Sequence, residues 1–338
     1  MIRAALDAMG ADGGSEPLVQ GAAQISLENT PIHVVLVGDR DALHAALKRH
    51  RHDSNRIDVV HASDYVRMSD KPAATLDARP DCSILRAAEL VASGGADVLI
   101  SAGNTGAVIH AAARSFQRLN GVQRVALCAV HPTVEPHGPK RDPFGLMLDV
   151  GATLQCTAEE LAAFARMGSC YSRLISHIEA PKVALLSNGC EPTKGTDAVV
   201  QAHALLRAGG DLNFAGNIEG LDVPRGTADV VVCEGFVGNI VLKMLEGVSD
   251  AARDLARNAH AAKLRYRLGL ALLSSGLRRV RELTDWKQYG GAPILGFDQP
   301  VIKAHGRSNA RAIRNALRLA AKTVQRGLVD ELKKSLTR

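Results

Sequence analysis

The sequence predicts an α/β protein with a three-layer α/β/α build around a parallel sheet, and two observations carry that expectation. Short apolar runs are repeatedly followed by a turn of small or amide residues and then by a helical pattern, which is the rhythm of strand, loop and crossover helix. At 338 residues, 46% of them hydrophobic, the chain can also bury a large core, read here as one two-lobed catalytic unit over residues 1–338.

The units follow in order. Ile2 to Leu6 leads into Asp7-Ala8-Met9-Gly10, and His33 to Val37 and Ile57 to Val60 read as further strands. Val98 to Ile100 leads into Ser101-Ala102-Gly103-Asn104-Thr105-Gly106-Ala107, and Leu146 to Val150 into Gly151-Ala152-Thr153. Val183 to Leu186 runs into Ser187-Asn188-Gly189, and Val230 to Cys233 into Glu234-Gly235-Phe236-Val237-Gly238-Asn239. The units share no fixed period, so a solenoid is excluded.

Several function classes drop out. The opening residues reach Asp7 without a long apolar stretch, so a secretory leader is not expected. No uncharged run reaches the roughly 18 residues of a spanning helix, so membrane contact is expected to be peripheral and the protein cytoplasmic. The six cysteines, at 82, 128, 156, 170, 190 and 233, form no Cys-x-x-Cys pair and read as reduced thiols without a catalytic part. Twelve histidines include no His-x-x-x-His on a helix, so no metal is expected. His131 and His137 are placed in a Pro/Gly-rich surface loop with Lys140 and Arg141. The glycine spacings match neither a dinucleotide fingerprint nor a P-loop, and no Gly-x-Ser-x-Gly is present, so no nucleotide cofactor and no serine nucleophile are expected.

The net charge of +6 is unevenly spread: residues 250–338 hold 19 Lys/Arg against 7 Asp/Glu, and residues 1–249 hold 22 against 28. Such asymmetry points to an acidic partner surface. With only 3% aromatics and no binding motif, nucleic acid is not that partner. Within 251–286, no acidic residue lies between Asp254 and Glu282, and basic residues such as Arg265, Arg267 and Arg278 flank Leu270, Leu272 and Leu273. That pattern reads as a basic amphipathic helical hairpin touching a membrane or partner. Packing of the same leucines into a core or dimer interface is an equal alternative at this level.

In a parallel sheet the turns after the strands gather at one edge, so these turns are expected to converge on a single crevice. Glycine there lets backbone approach a ligand, and the N–H groups opening each following helix favour an anion. The turns offer amides at Asn104, Asn188 and Asn239, carboxylates at Asp7, Asp12, Asp149 and Glu191, and an ammonium at Lys194. Phosphate is already charged at neutral pH, so a protein using it as nucleophile must offset repulsion, orient an oxygen and stabilise an oxyanion. Lysine and amides suit that work. Lys194 falls where a helix opens, an unfavourable place for a cation, which favours ligand contact over a solvated side chain. For Asn104 and Asn239, helix capping and oxyanion binding are compatible. His305, between a strand and a helical run from about Ser308, is either an acid for a departing thiolate or a structural histidine.

Taken together, Asp7-Ala-Met-Gly10-Ala-Asp12, Ser101-Ala-Gly-Asn-Thr-Gly-Ala107, Leu148-Asp-Val-Gly-Ala152, Lys194-Gly195, Phe214-Ala-Gly-Asn-Ile-Glu-Gly220, Glu234-Gly-Phe-Val-Gly-Asn239, Tyr289-Gly-Gly-Ala292 and Val301-Ile-Lys-Ala-His-Gly306 resemble the bacterial phosphate acyltransferase (PlsX) family, in order from residue 2 to about 325. The resemblance implies a fold similar to phosphate acetyltransferases and the isocitrate/isopropylmalate dehydrogenases, with no metal or nucleotide. It implies acyl transfer from acyl carrier protein to inorganic phosphate for phospholipid synthesis, by a homodimer on the inner face of the cell membrane. An anionic membrane surface and a membrane glycerol-3-phosphate acyltransferase are the further implied partners. Carried onto this chain, Lys194 and Asn239 are catalytic, with His305 as the candidate acid. Asp7, Gly10, Asp12, Ser101, Gly103, Asn104, Thr105, Gly106, Asp149, Gly151, Asn217, Gly235 and Gly238 hold phosphate or substrate. Arg265, Arg267, Leu270, Leu272, Leu273 and Arg278 contact membrane or carrier. Ala11, Thr153, Cys190 and Glu234 depart from the usual family pattern.

Overall fold

The computed structural model describes residues 1–262, 265, 266, 269, 272–274, 276 and 290–337. Its first part alternates β1 (Ile2–Asp7), α1 (Glu16–Ser26), β2 (Ile32–Gly38), α2 (Arg40–Leu47), β3 (Ile57–His61), α3 (Pro72–Ala78), α4 (Ser83–Ala92), β4 (Val98–Ser101) and α5 (Thr105–Ser115). An antiparallel ribbon of β5 (Ala126–His137) and β6 (Asp142–Leu148) follows. Then come α6 (Ala158–Tyr171), β7 (Val183–Leu186), α7 (Asp197–Gly209), β8 (Phe214–Ile218), β9 (Val230–Val232) and α8 (Gly235–Ala262). The chain closes with β10 (Gly291–Leu295), β11 (Val301–Ala304), α9 (Ala310–Gln325) and α10 (Leu328–Leu336). Seventeen of the 36 residues in the expected 251–286 hairpin, including Arg267, Leu270 and Arg278, lie outside the described residues; among the described ones, Leu272 and Leu273 are exposed at 86% and 62%.

The strands form one mostly parallel mixed sheet in the order β3-β2-β1-β4-β11-β10-β5-β6-β9-β7-β8. β3, β2, β1, β4 and β11 are mutually parallel, as are β6, β9, β7 and β8. Between these halves stand three antiparallel pairings, β11 with β10, β10 with β5, and β5 with β6. An odd number of reversals leaves the two parallel halves running in opposite directions. The expectation that all the turns share one sheet edge is therefore wrong: turns after β1, β4 and β11 leave one end of the sheet, and turns after β6, β7 and β9 the other.

Helices cover both faces, which is why strands such as Ile32–Gly38 are apolar at nearly every position. On one face lie α1, α2 and α9 beside α6 and α10. On the other, a single core joins Ala5, Leu99, Leu127, Met147, Val231, Ile294 and Val301 to α4, α5 and the start of α8. Local chemistry fixes the helix bounds. Asn309 accepts the Ala312 N–H at 3.0 Å to open α9, whose Ile313, Ala316, Leu317 and Ala320 are fully buried, a cap worth about 1 kcal/mol. Thr157 and Glu160 form a reciprocal capping box on α6. The expected surface loop around His131 and His137 is instead strand β5, with His131 fully buried, because its alternating residues pair with Asp142–Leu148.

Candidate active site

Strand parity places the chemistry. Asp7 points with Ala5, Ser101 with Leu99 and Lys303 with Val301, since side chains two apart share a face, and Asp149, just past β6, is placed by its close contact with Gly235 at the start of α8. All four therefore stand on the sheet face that carries α4, α5 and the start of α8. What unites the turns of the opposed halves is a face rather than an edge.

The first cluster forms around Asp7, which is 3% exposed. Its Oδ1 accepts from Ser83 Oγ at 2.6 Å and the Met9 N–H at 3.2 Å, and its Oδ2 from Ser101 Oγ at 2.7 Å. Burial pushes the Asp7 carboxyl up, opposed by these hydrogen bonds and by Lys303. Lys303, buried on β11, donates from Nζ to the Ala304 carbonyl. Burial lowers it to about 8, with Asp7 and Asp12 opposing that fall. Ser101 Oγ also accepts the Gly103 N–H at 3.0 Å, and a Cβ on Gly103 would lie 3.5 Å from Asp7 Oδ2. Gly10, at φ +73°, has the Val66 carbonyl where a Cβ would stand, 2.7 Å away. Asp12 donates its N–H to the Gly306 carbonyl at 3.0 Å, tying the first turn to the turn after β11.

Asn104 caps α5 by accepting the Ala107 N–H at 3.2 Å while its Nδ2 donates to the Met68 carbonyl at 3.0 Å. Thr105 and Gly106 open that helix, and Pro72 of α3 comes so close that a Cβ on Gly106 would meet it at 2.8 Å.

The second cluster forms around Asp149, which is completely buried. Its Oδ1 accepts N–H groups of Leu127 (2.9 Å), Gly151 (3.1 Å) and Ala152 (3.0 Å), and its Oδ2 accepts from Thr153 N–H (2.7 Å) and Oγ1 (2.8 Å). This carboxylate organises the 149–153 turn, a use the sequence did not reveal. Thr153 in turn accepts the Gly235 N–H at 3.1 Å, so the departure at position 153 keeps a side chain that joins this turn to α8. A Cβ on Gly235 would lie 2.4 Å from Asp149 Oδ2, and one on Gly238 only 1.9 Å from the Asp149 carbonyl oxygen. α8 can seat here only because both positions are glycine. The seating places the exposed Asn239 beside Gly151, whose Cβ site is 3.9 Å from Asn239 Cγ.

The third cluster holds the 187–196 loop. Asn217 on β8 donates from Nδ2 to the carbonyls of Glu191 (2.9 Å) and Lys194 (3.4 Å), and its Oδ1 pairs with His203 Nδ1 at 3.0 Å. Asn217 therefore anchors the loop, and the Lys194 side chain stays exposed before the Thr196 cap of α7.

α8 connects the halves. Asn239, Lys243 and Glu246 follow a helical i, i+4, i+7 spacing along one face, and Lys243 and Glu246 are close enough to His305 to shift its titration. Burial, then Lys243, lowers the His305 imidazole, with Glu246 opposing. Its Nδ1 accepts the Arg307 N–H at 3.1 Å, so the neutral ring carries its proton on Nε2. Among the described residues no group of three metal-ligating side chains occurs, and no helix is long and apolar enough to cross a membrane. The groups that sequence reasoning passed over are Ser83 and Lys303. Lys303 was legible only as a lysine inside the apolar run Val301–Ala304.

A family model described as "Fatty acid synthesis protein" matches residues 2–331. The phosphate acyltransferase of Desulfitobacterium hafniense (strain Y51) is 41% identical over 339 residues, covering 100% of this chain and 98% of that protein. The chain belongs to the phosphate acyltransferase family. Another member, from Heliobacterium modesticaldum, is 39% identical over 336 residues, covering 99% of this chain and 98% of its own. Outside the phosphate acyltransferases, the fold is shared with a phosphotransacetylase from Streptococcus pyogenes (TM-score 0.64, 17% identity, 96% and 94% coverage). It is shared too with a branched-chain phosphotransacylase from Enterococcus faecalis (TM-score 0.56, 19% identity, 96% and 99% coverage).

Proposed function

We propose that this phosphate acyltransferase moves a fatty acyl group from the thioester of acyl carrier protein to inorganic phosphate, releasing acyl phosphate for phospholipid synthesis. The observation that carries this reading is the seating of α8 on the Asp149 turn. It sets Asn239 against Gly151, and the same helix runs on past His305. Phosphate held on the sheet face that α5 and α8 both cover, between their 101–107 and 235–239 turns and with the exposed Lys194 ammonium offsetting its charge, attacks the thioester carbonyl in line. Asn239 steadies the tetrahedral oxyanion. The His305 Nε2–H donates toward the departing phosphopantetheine sulfur. Phosphate is the nucleophile throughout, so no acyl-enzyme forms.

Two further parts of the reading rest on surfaces. Phe236, Ile240, Met244, Val248 and Leu255 of α8 are all at least half exposed and recur at helical spacing, which suits a homodimer seam. The exposed Leu272 and Leu273, within the basic segment 251–286, suit peripheral contact with an anionic cytoplasmic membrane face. There the product would pass to a membrane glycerol-3-phosphate acyltransferase.

The test is mass spectrometry after mixing the protein with palmitoyl carrier protein and phosphate. Palmitoyl phosphate with stoichiometric free thiol is expected. Formation only from palmitoyl-coenzyme A would reassign the donor, and formation from neither would remove the activity.

A further inference from the structure

On the sheet face opposite the Asp7 and Asp149 clusters, α6 and α9 leave a cavity of about 310 Å³ between them, within the roughly 300–1,000 Å³ of small-molecule sites. Part of its lining is apolar, with Val130 and Leu146 from the β5–β6 ribbon, Ile175 and Ile178 after α6, and Leu319 from α9, while Ser172, Asn315, Asp142, Asp229, Arg318 and Lys322 bring polar and charged groups to the rest. The wall nearest Ile175 is a π-type turn, Ser172–Ser176, closed by His177 in the left-handed region at φ +63°. Such widened turns recur at functional sites.

Lys322 lines this slot, with Lys140, His177 and Arg326 near it but outside the lining. Lys322 reaches from α9 to donate to the Ile175 carbonyl at 2.6 Å. Burial lowers the Lys322 ammonium, and Lys140 and Arg326 lower it further, with Asp142 opposing. Burial lowers His177 as well, followed by Lys140, Lys322 and Arg326. Four basic groups from three separate segments thus crowd one another. The C-terminal end of α9 accounts for two of them, since cations favour a helix C-terminus, but it does not account for Lys140 or His177. The other charges in the lining are Asp142, Asp229 and Arg318, and each has a partner. Asp229 accepts from His137 Nδ1 and the Lys182 N–H at 2.7 Å each, and Arg318 is held by Glu28 at 2.7 Å.

A slot with an apolar wall and a lining lysine reinforced by neighbouring cations is complementary to a chain with an anionic head. We propose that this cavity is a second ligand site, separate from the catalytic face, for a single-chain acyl anion whose tail lies along Leu146, Ile175 and Leu319 and whose carboxylate or phosphate monoester meets Lys322, with Lys140 and Arg326 adding to the positive field at that end. A ligand there would touch the β5–β6 ribbon, and β6 runs directly into the Asp149 turn, so occupancy has a short path to the catalytic face.

Dodecyl phosphate, laurate and dodecanol, each below its aggregation concentration, test this on the full chain by calorimetry and by hydrogen exchange. Dodecyl phosphate is expected to slow exchange in residues 172–178 and 315–326, in Lys194→Ala as in the wild type. Its affinity should fall about tenfold or more in Lys140→Gln/Arg326→Gln, two exposed side chains, and likewise in the cavity-filling Ile178→Trp. Stronger binding of laurate would select a carboxylate head over a phosphate. The proposal is overturned if protection is confined to residues 101–107 and 149–153, if both variants bind as the wild type does, or if dodecanol binds as tightly as the anions.

Discussion

Gly238 sits so tightly on Asp149 that a methyl group there would stand 1.9 Å from the Asp149 carbonyl oxygen. Backbone supports backbone at this point, and neither side can yield without moving the first turn of α8. Gly238→Ala should therefore destabilise the protein by about 3 kcal/mol or more and lower activity beyond the loss of folded protein, by displacing Asn239. Gly247, on the same helix, has nothing within 4 Å of its Cβ position, so Gly247→Ala should instead stabilise by up to about 1 kcal/mol. Paired denaturation curves check the contrast; equal effects of opposite-sign expectation would show that α8 is not seated as described.

Lys194 and Asn239 are exposed, so their truncation should leave stability within about 0.5 kcal/mol of wild type. Lys194→Ala should abolish phosphate-dependent thiol release, and Asn239→Ala should lower kcat by about 10²–10³ if it is the oxyanion donor. Steady-state assays with palmitoyl carrier protein decide this, and near-normal turnover in Lys194→Ala would take it out of the mechanism.

Lys303 makes a prediction about pH. Burial lowers its pKa from 10.5 to about 8 in the folded protein. Below pH 8 both folded and unfolded chains hold the proton, and burying the charged ammonium opposes folding at full strength. Between about 8 and 10.5 the unfolded chain binds more protons, so stability from this group rises with pH. The stability of wild type relative to Lys303→Met should thus be flat up to about pH 8 and then rise by on the order of 3 kcal/mol. Urea melts of both proteins at pH 7, 9 and 10.5 measure it, and a flat difference throughout would mean that the ammonium is solvated.

Asn217 tests whether a buried amide can act on catalysis through a loop. Asn217→Leu removes the donor that holds the Glu191 and Lys194 carbonyls and leaves His203 without its partner. A loss of about 1–3 kcal/mol is expected, with KM for phosphate rising more than kcat falls, because Lys194 would remain present but no longer be held. A change in kcat alone would contradict an anchoring role.

Sequence alone was enough for whatever depends on neighbouring residues. Each strand-turn-helix unit is written locally, as in Val98–Ser101 followed by the Asn104 cap and α5, because apolar runs, glycine turns and capping side chains act over a few residues. The ordered motifs likewise sufficed to assign the family. Tertiary structure decided everything that depends on pairing across the sheet. No local signal distinguishes β5 and β10 as antiparallel, yet their pairings reverse one half of the sheet against the other and replace a shared edge by a shared face. The same holds for the polar residues: the sequence offers Asp149 and Asn217 as groups that hold substrate, and only the structure shows that Asp149 also ties Leu127 to the 151–153 turn, that Asn217 also holds the Glu191 and Lys194 carbonyls, and that Lys303 is more than one more strand residue. A side chain's burial and partners are set by the segments that fold over it, and those lie tens to hundreds of residues away along the chain.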